Sequence, residues 1–252
     1  MNTILSNALK ERIRRKELYI VVVIGVLLTL FCGSDSTSIS INGEPLVSFR
    51  NMFMVMHVLI NVIGCILAVI LSLRTIPNEY ERHNSHLVWV RGISQVKYHG
   101  GLAAANVLAT AISVGILYVV LAGYAVVKGH ESYALKMLPA YLIVVISVSL
   151  VSLFVSVLSI CLPSMAVGAL AVLFAGVGVL HGLLELFKST VGGVSGVLIS
   201  LLLQVVPDLN GLQKQAYNLI MGEHIDAHLL WIGSLALWVI SLGLFVFKKK
   251  EA

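Results

Sequence analysis

Long apolar stretches alternate with short polar segments along most of this chain. A bilayer core about 30 Å thick is crossed by roughly 20 apolar residues of helix, so each long stretch predicts one transmembrane span. The six stretches are Leu18–Gly33, Asn51–Leu73, Gly101–Val127, Met137–Cys161, Ser164–Phe187 and His228–Phe247. The pattern therefore predicts an all-α membrane protein with six transmembrane helices, organised as a single domain over residues 1–252.

A shorter apolar run, Val191–Val206, has an open interpretation. As a helix it would extend only about 24 Å, which is less than the thickness of the bilayer core. Three glycines interrupt the run and Pro207 stops it. We therefore expect a re-entrant or external helical segment within a long external connection, residues 188–227, and whether the run crosses stays open. Another external connection contains Asn42-Gly43, which is a hairpin signal.

The composition places the chain in the membrane class. Hydrophobic residues make up 58% of the sequence and charged residues 12%, whereas soluble domains contain about 25% charged residues. The mean hydropathy is +0.97. These values exclude a soluble enzyme or soluble binding domain and make the lipid bilayer the first partner of the chain.

The distribution of basic residues predicts the orientation. With the N-terminus in the cytoplasm and six crossings, most of the 17 Lys and Arg residues fall on the cytoplasmic side, in agreement with the positive-inside rule. They are Lys10, Arg12, Arg14, Arg15, Lys16, Arg74, Arg82, Arg91, Lys97, Lys248, Lys249 and Lys250. We therefore expect both termini in the cytoplasm. The net charge of +5 then reflects these inward loops, and no nucleic-acid partner is expected.

Residues 1–17 predict an amphipathic helix at the membrane surface. Leu5, Leu9 and Ile13 recur every four residues, while Lys10 and Arg14 fall on other faces. This pattern is typical of an elbow helix that lies in the headgroup plane and leads into the first span. A generic basic anchor is the alternative.

The segment from Arg74 to Gly100 is a polar island between two apolar stretches. So much charge cannot be stored in hydrocarbon, so the segment must lie at a soluble surface. Pro77 suits the first turn of a short helix, in which Glu79 could pair with Arg82. The apolar patch 87–90 then suits insertion into a protein groove. The island indicates a cytoplasmic docking element, with a solvated connecting loop as the alternative.

The order of these elements resembles the permease subunit of a type-2 ATP-binding-cassette (ABC-2) transporter. The shared features are an elbow helix, six spans, a charged cytoplasmic segment between spans two and three, and an extended connection between spans five and six. The residues that stand in the places of the family's local motif are Glu79, Glu81, Leu87, Ile93, Ser94 and Tyr98. This chain has His83-Asn84 where the family usually has Gly-Thr, and Gly92 where it has Pro before Ile-Ser.

The resemblance implies that a separate ATPase subunit supplies the energy. The sequence contains no G-x-x-x-x-G-K-[ST] run, so we expect no enzyme activity, cofactor or metal in this chain, with ATP and Mg held by the partner ATPase. A second permease, identical or related, would complete a dimer. The equivalent of Pro77–Gln95 would be the cytoplasmic coupling helix. The residues expected to transmit motion from the ATPase are Glu79, Tyr80, Glu81, Arg82 and Arg91.

The resemblance also implies a path for the cargo. In ABC-2 permeases the second and fifth spans line the dimer axis, and polar residues inside spans often face a cavity. The candidate path residues are His57 and Asn61 in the second span, and His181 and Glu185 in the fifth. Small permeases of this family resemble exporters of antimicrobial peptides or drugs, so we expect an exporter of such a substrate in a bacterial plasma membrane.

Three other chemistries stay open. An ion-coupled secondary transporter usually has internal repeats and ionisable groups at mid-membrane, which this sequence offers weakly. Gly193-Val194-Ser195-Gly196, with His228 downstream, matches the serine motif of rhomboid-like intramembrane proteases, but the glycine spacing expected after His228 is missing. Glu79, His83 and His86 share one helical face, at positions i, i+4 and i+7. The two histidines could chelate a metal ion, but the third position and a second shell are undefined.

Overall fold

Helices make up nearly all of the described chain. The computed structural model describes residues 2–14, 17–33, 40–41, 44–45, 49–81, 88–191 and 193–247. The helices are α1 (Asn2–Arg14), α2 (Glu17–Gly33), α3 (Phe49–Leu73), α4 (Thr75–Glu81), α5 (Gln95–Val127), α6 (Glu131–Cys161), α7 (Ser164–Val179), α8 (His181–Thr190), α9 (Gly193–Val205), α10 (Leu209–Met221) and α11 (Ala227–Val246). The all-helical fold class is confirmed.

A minimal β-hairpin follows α2. Strands β1 (Ser40–Ile41) and β2 (Glu44–Pro45) pair antiparallel, with Ser40 opposite Pro45 and Ile41 opposite Glu44. This register leaves positions 42 and 43 as the connection, so the predicted hairpin is confirmed. The two connecting positions themselves lie outside the described residues.

Three long helices, α3, α5 and α6, form the centre of the fold. Helix α6 is enclosed, with 72% of its apolar stretch buried, whereas the corresponding value is 11% for the peripheral α11. A Cβ atom built on Gly64 of α3 would lie 2.9 Å from a methyl group of Val114 and 3.0 Å from one of Val148. The missing side chain therefore lets α3 approach α5 and α6 closely, as small residues do between transmembrane helices.

Among the described residues, four helical segments are long and apolar enough to cross a membrane: α3 with α4, α5, α6 and α11. They correspond to the predicted second, third, fourth and sixth spans. Two bent helix pairs raise the number of candidate spans to six if each pair is one crossing. The first predicted span is helix α2, whose apolar part, Tyr19–Leu28, is shorter. These apolar helices indicate a membrane-embedded protein, and the six-span order stays a prediction.

The fifth predicted span, Ser164–Phe187, is not one straight helix. Helix α7 ends at Val179, and α8 begins at His181 after a bend of 73°. The start of α10 packs against this bend, where a Cβ atom on Gly178 would lie only 2.6 Å from the Leu209 side chain. No proline lies at the bend, which falls between Gly178 and Gly182, and the pair α7–α8 corresponds to the predicted fifth span if it is one crossing.

The second bent pair contains the apolar run whose interpretation was open. Helices α9 and α10 meet at an angle of 55° across the turn that contains Pro207. The Asp208 carboxylate caps α10 by accepting a hydrogen bond from the Gly211 amide at 2.7 Å, and Gly222 ends the helix with φ 76°. Helix α10 packs on α6 and α3, so this part of residues 188–227 belongs to the helical bundle.

Candidate functional site

Helix α6 carries a seam of serines that faces its neighbours. The Oγ atoms of Ser152 and Ser72 are 2.8 Å apart, which joins α6 to α3. The Ser156 hydroxyl accepts a hydrogen bond from the Asn106 carboxamide at 2.8 Å, which joins α6 to α5. Hydroxyl and amide side chains between helices bind them together where lipid supplies no hydrogen-bond partners. The seam therefore holds the three central helices in register.

Asn106 extends this seam to the end of the bundle that the sequence places in the cytoplasm. Its side-chain oxygen lies 2.9 Å from the hydroxyl of Thr75, at the start of α4. The same oxygen accepts a hydrogen bond from the guanidinium of Arg12 in α1. Arg12 Nη2 also lies 2.6 Å from the carbonyl oxygen of Leu71 and 2.8 Å from the Thr75 hydroxyl. One polar cluster thus connects α1, α3, α4, α5 and α6.

Sequence reasoning missed the role of Arg12. It counted Arg12 among the basic residues of the cytoplasmic side, whereas the residue is only 7% exposed in the structure. A signal was present, because Arg12 continues the inward stripe of Ile4 and Ala8 at four-residue spacing. Recognising it also required knowing that Asn106 faces α1.

Two hydrogen bonds fasten the predicted coupling residues to α5. The Tyr98 hydroxyl donates to the carboxylate of Glu79, and the Tyr80 hydroxyl lies 2.8 Å from Nε2 of His99. Tyr98 and His99 are both buried in the first turn of α5. Helix α4 is therefore attached to the start of the third predicted span.

The remaining predicted coupling residues are less constrained. Glu81 and Arg91 are exposed, at the end of α4 and in the turn before α5 respectively. Arg82 lies outside the described residues. The structure thus brings Glu79 and Tyr80 together with the start of α5 and leaves Glu81 and Arg91 at the surface.

A groove lies on the same side of the bundle, between α1, the α3–α4 junction and residues 88–94. We call it the inner groove, and its volume is about 830 Å³. The charged residues that line it are Glu11, Arg12, Arg74, Glu79 and Arg91. Apolar side chains, including Ile70 and Leu102, form much of the remaining wall. The inner groove is therefore amphipathic, with charge and hydrocarbon next to each other.

The predicted path residues of α3 lie inside the bundle. His57 is 1% exposed, with Nε2 2.7 Å from the Tyr118 hydroxyl and Nδ1 3.2 Å from Nε2 of Gln213. Asn61 is equally buried, and its side-chain oxygen has no hydrogen-bond partner among the described residues. In this conformation neither side chain reaches a surface that a second copy could contact. Their role in a translocation path stays a prediction.

The predicted path residues His181 and Glu185 lie where the two bent helix pairs meet. Nδ1 of His181 is 4.0 Å from the Glu185 carboxylate and 3.8 Å from that of Asp208, the residue that caps α10. The Glu185 side chain is 65% exposed, whereas that of His181 is 12% exposed. His181 therefore bridges the start of α8 and the start of α10. A gating role for the pair stays a prediction.

The described residues of the alternative chemistries show no assembled site. Ser195 is exposed in α9 and His228 is exposed at the start of α11, whereas a serine protease needs both in one enclosed pocket. Within the described ranges, no group of three or more His, Cys, Asp or Glu residues could hold a metal ion. His83 and His86 lie outside those ranges.

Comparison of the chain with protein-family models, with curated proteins and with solved structures finds no match.

Proposed function

We propose that this chain is the membrane-spanning subunit of an ATP-driven exporter of the ABC-2 type. A separate ATPase subunit binds ATP and Mg, and a second permease, identical or related, completes the dimer. The observation that carries the proposal is the attachment of α4 to α5 through Glu79 with Tyr98 and Tyr80 with His99. A segment that receives force from an ATPase must be joined to the spans that it moves.

The proposed mechanism is a rigid-body change. The ATPase binds the cytoplasmic segment through Arg82 and through the exposed Glu81 and Arg91, and α4 transfers the displacement to α5 through its two hydrogen bonds. Arg12 links the elbow helix α1 to the same spans, so that α1, α4 and α5 move as one unit. Packed helices with two discrete arrangements can then alternate between inward- and outward-facing states.

The proposal extends to the substrate and to the path that it takes through the protein. An antimicrobial peptide or a drug is the proposed substrate class, and the cell membrane of a bacterium is the proposed location. His57, Asn61, His181 and Glu185 remain the proposed path residues. Because His57 and Asn61 are buried in the protomer, α3 would have to separate from α10 to expose them.

Purification from native membranes tests the partner. We expect a tagged chain to retain a nucleotide-hydrolysing subunit in equal copy number, measured by native mass spectrometry and by ATP hydrolysis. The double variant Glu81→Ala/Arg91→Ala should lose that subunit, because both side chains are exposed and available to it. The matched control Glu131→Ala/Lys136→Ala changes two exposed charges at the predicted outer end and should keep it. Retention of the ATPase by both variants would contradict the docking assignment.

Cysteine labelling tests the orientation. In a background without Cys32, Cys65 and Cys161, a membrane-impermeant maleimide should label Glu131→Cys in intact cells. Lys97→Cys should react only after the membrane is opened, since the positive-inside rule places it in the cytoplasm. Both positions are exposed, so lack of access within the fold does not confuse the result. Labelling of position 97 in intact cells would defeat the proposal.

Ion-coupled secondary transport is the second candidate. The observation that favours it is the buried contact of His57 with Tyr118 and Gln213, because ionisable residues inside spans often belong to proton relays. Uptake driven by a proton gradient in vesicles that contain only this chain would support this candidate over the ATPase-dependent one.

A further inference from the structure

The inner groove carries positive charge that no described residue neutralises with an ion pair. The guanidinium of Arg12 is turned inward to three oxygen atoms, and Glu79 accepts a hydrogen bond from Tyr98. Glu11, the other carboxylate of the lining, is also engaged within the chain. Arg74 and Arg91 are exposed, and neither forms an ion pair with another described residue. Two guanidinium groups that form no ion pair with the described residues therefore line the inner groove.

An apolar strip of α3 leads directly to these charges. Ile66 and Ile70 are 52% and 63% exposed, and Arg74 follows at the same spacing of four residues. Residues four apart lie on one face of a helix, with a rise of about 6 Å for each step. Ile70 is itself part of the groove lining. Two apolar side chains of α3 are thus followed by a positively charged side chain just after its end. This is the order of an acyl chain and a headgroup in a lipid.

Further basic residues lie on α1 near the inner groove. Lys10 and Arg14 line a shallow depression on another side of α1, next to Asn7 and Glu11. Clusters of Lys and Arg at the cytoplasmic surface attract anionic lipids and hold their headgroups. The charge around α1 therefore favours a negatively charged amphiphile.

We infer that the inner groove binds one anionic membrane phospholipid, with its phosphate at Arg74 and Arg91 and an acyl chain along Ile70 and Ile66. The planar guanidinium group of arginine donates paired hydrogen bonds to phosphate oxygens, so arginine suits a phosphate-binding site. Bound in this way, the lipid lies between the elbow helix and the α3–α4 junction. It fills the space that separates α1 from the turn before α5.

A lipid fits the inner groove better than a soluble protein does. The strip of Ile66 and Ile70 continues from the groove into the predicted second span, and a water-soluble partner could not cover it there. A phosphate ion would contact only the arginines and not this strip. The occupant must therefore have a charged end and a long apolar end.

Native mass spectrometry of the detergent-purified full chain tests this inference. Palmitoyl-oleoyl phosphatidylglycerol, which is anionic, is titrated against phosphatidylcholine with the same acyl chains. We expect one phosphatidylglycerol to bind with an affinity roughly fivefold or more above that of phosphatidylcholine, since each basic residue at a membrane surface contributes about that factor. Equal binding of the two lipids would overturn the inference.

Two double variants locate the site. Arg74→Gln/Arg91→Gln should lower the affinity for phosphatidylglycerol roughly 25-fold, and Arg74→Lys/Arg91→Lys should restore much of it. The control Lys188→Gln/Lys214→Gln removes two exposed charges away from the inner groove and should leave binding unchanged. Because Arg74 and Arg91 are exposed, their loss should not unfold the chain, and the melting temperature checks this. Unchanged phosphatidylglycerol binding in the glutamine variant would contradict the site.

Competition experiments separate the possible sources of phosphate. Glycerol 3-phosphate at millimolar concentration should not displace the lipid, because it lacks the acyl chain that contacts Ile70. Complete displacement by this soluble phosphate would indicate an anion site and reject the lipid.

Arg91 also belongs to the proposed docking surface for the ATPase, so lipid binding is measured on the isolated chain. A failure of lipid binding is then distinct from a failure to bind an ATPase. A groove that binds the ATPase but no phosphatidylglycerol is a protein interface, and the inference fails.

Discussion

The guanidinium of Arg12 donates a hydrogen bond to the side-chain oxygen of Asn106, which lies 94 positions further along the chain. Arg12 belongs to the amphipathic helix α1, and Asn106 is one of the buried polar residues of α5. Asn106 in turn donates to Ser156 of α6 at 2.8 Å. A surface helix is therefore connected through one carboxamide to the most enclosed helix of the bundle.

Replacing Arg12 by alanine should destabilise the protein and release α1. The buried hydrogen-bond network loses its charged donor, and the oxygen atoms that accepted from it stay buried. We expect the free energy of unfolding to fall by about 2–4 kcal/mol. The melting temperature in detergent should fall. Arg14→Ala is the matched control on the same helix, because Arg14 is exposed and its loss should change stability little. Equal melting temperatures for the two variants would show that the cluster contributes nothing to stability.

A double-mutant cycle measures the Arg12–Asn106 contact itself. Arg12→Ala and Asn106→Ala should be less harmful together than the sum of the two single effects, since either change alone already breaks the contact. We expect a coupling free energy of about 1–3 kcal/mol. Strict additivity in chemical or thermal unfolding would mean that the two residues act independently. A cycle between Arg12 and the exposed Glu131 serves as the control pair.

The ends of two central helices could be predicted from the sequence because residues that do not continue an apolar helix follow them. The predicted second and fourth spans end at Leu73 and Cys161, and α3 and α6 end at the same residues. Arg74 and Pro163 follow these ends and are poor continuations of an apolar helix. The starts were predicted too late, since α6 begins at Glu131 and not at Met137. Polar turns beyond the apolar stretch remain helical, and hydropathy does not register them.

Other features could not be predicted because they depend on distant contacts. At the bend between α7 and α8, Leu209 packs closely against Gly178, and this contact between distant positions cannot be read from the local sequence. The inward direction of Arg12 required its partner on α5. Likewise, the prediction of His57 as a path residue rests on its polarity and on the family resemblance, whereas in the structure Tyr118 and Gln213 lie within hydrogen-bond distance of its two ring nitrogens.

Enlarging Gly64 should destabilise the centre of the bundle. In Gly64→Ala the new methyl group would meet Val114 and Val148 at 2.9 and 3.0 Å, so α3 must move away from its neighbours. Overpacking of this kind costs about 1–3 kcal/mol. Gly123→Ala is the matched control, because no atom lies within 4 Å of its added Cβ and alanine favours the helix. Thermal unfolding should therefore shift downward for the first variant and slightly upward for the second.

Removing the ring nitrogens of His57 should loosen α10. His57→Phe keeps an aromatic ring but leaves the Tyr118 hydroxyl and the Gln213 amide without their partner in a buried site, which costs about 1–3 kcal/mol for each such group. Amide hydrogen exchange in residues 209–221 should rise and the melting temperature should fall. His224→Phe changes an exposed histidine and should have little effect on either measurement. Unaltered exchange in α10 would show that Gln213 is held by other contacts.

Tyr98→Phe should weaken the attachment of α4 while leaving the bundle folded. The variant removes only the hydroxyl that donates to Glu79, and the ring keeps its edge-on contact with Trp89, whose centroid is 5.7 Å away. Hydrogen exchange in residues 75–81 should increase, with a loss of stability of about 1–3 kcal/mol because the acceptor is charged. Tyr141→Phe, which removes a hydroxyl bonded to the Ala111 carbonyl at 2.9 Å, is the control and should not change exchange in α4.

If the proposed function is correct, Tyr98→Phe should also reduce transport per ATP hydrolysed, since force from the ATPase then passes less completely from α4 to α5. Full transport efficiency together with raised exchange in α4 would show that the Tyr98–Glu79 contact is structural and carries no coupling.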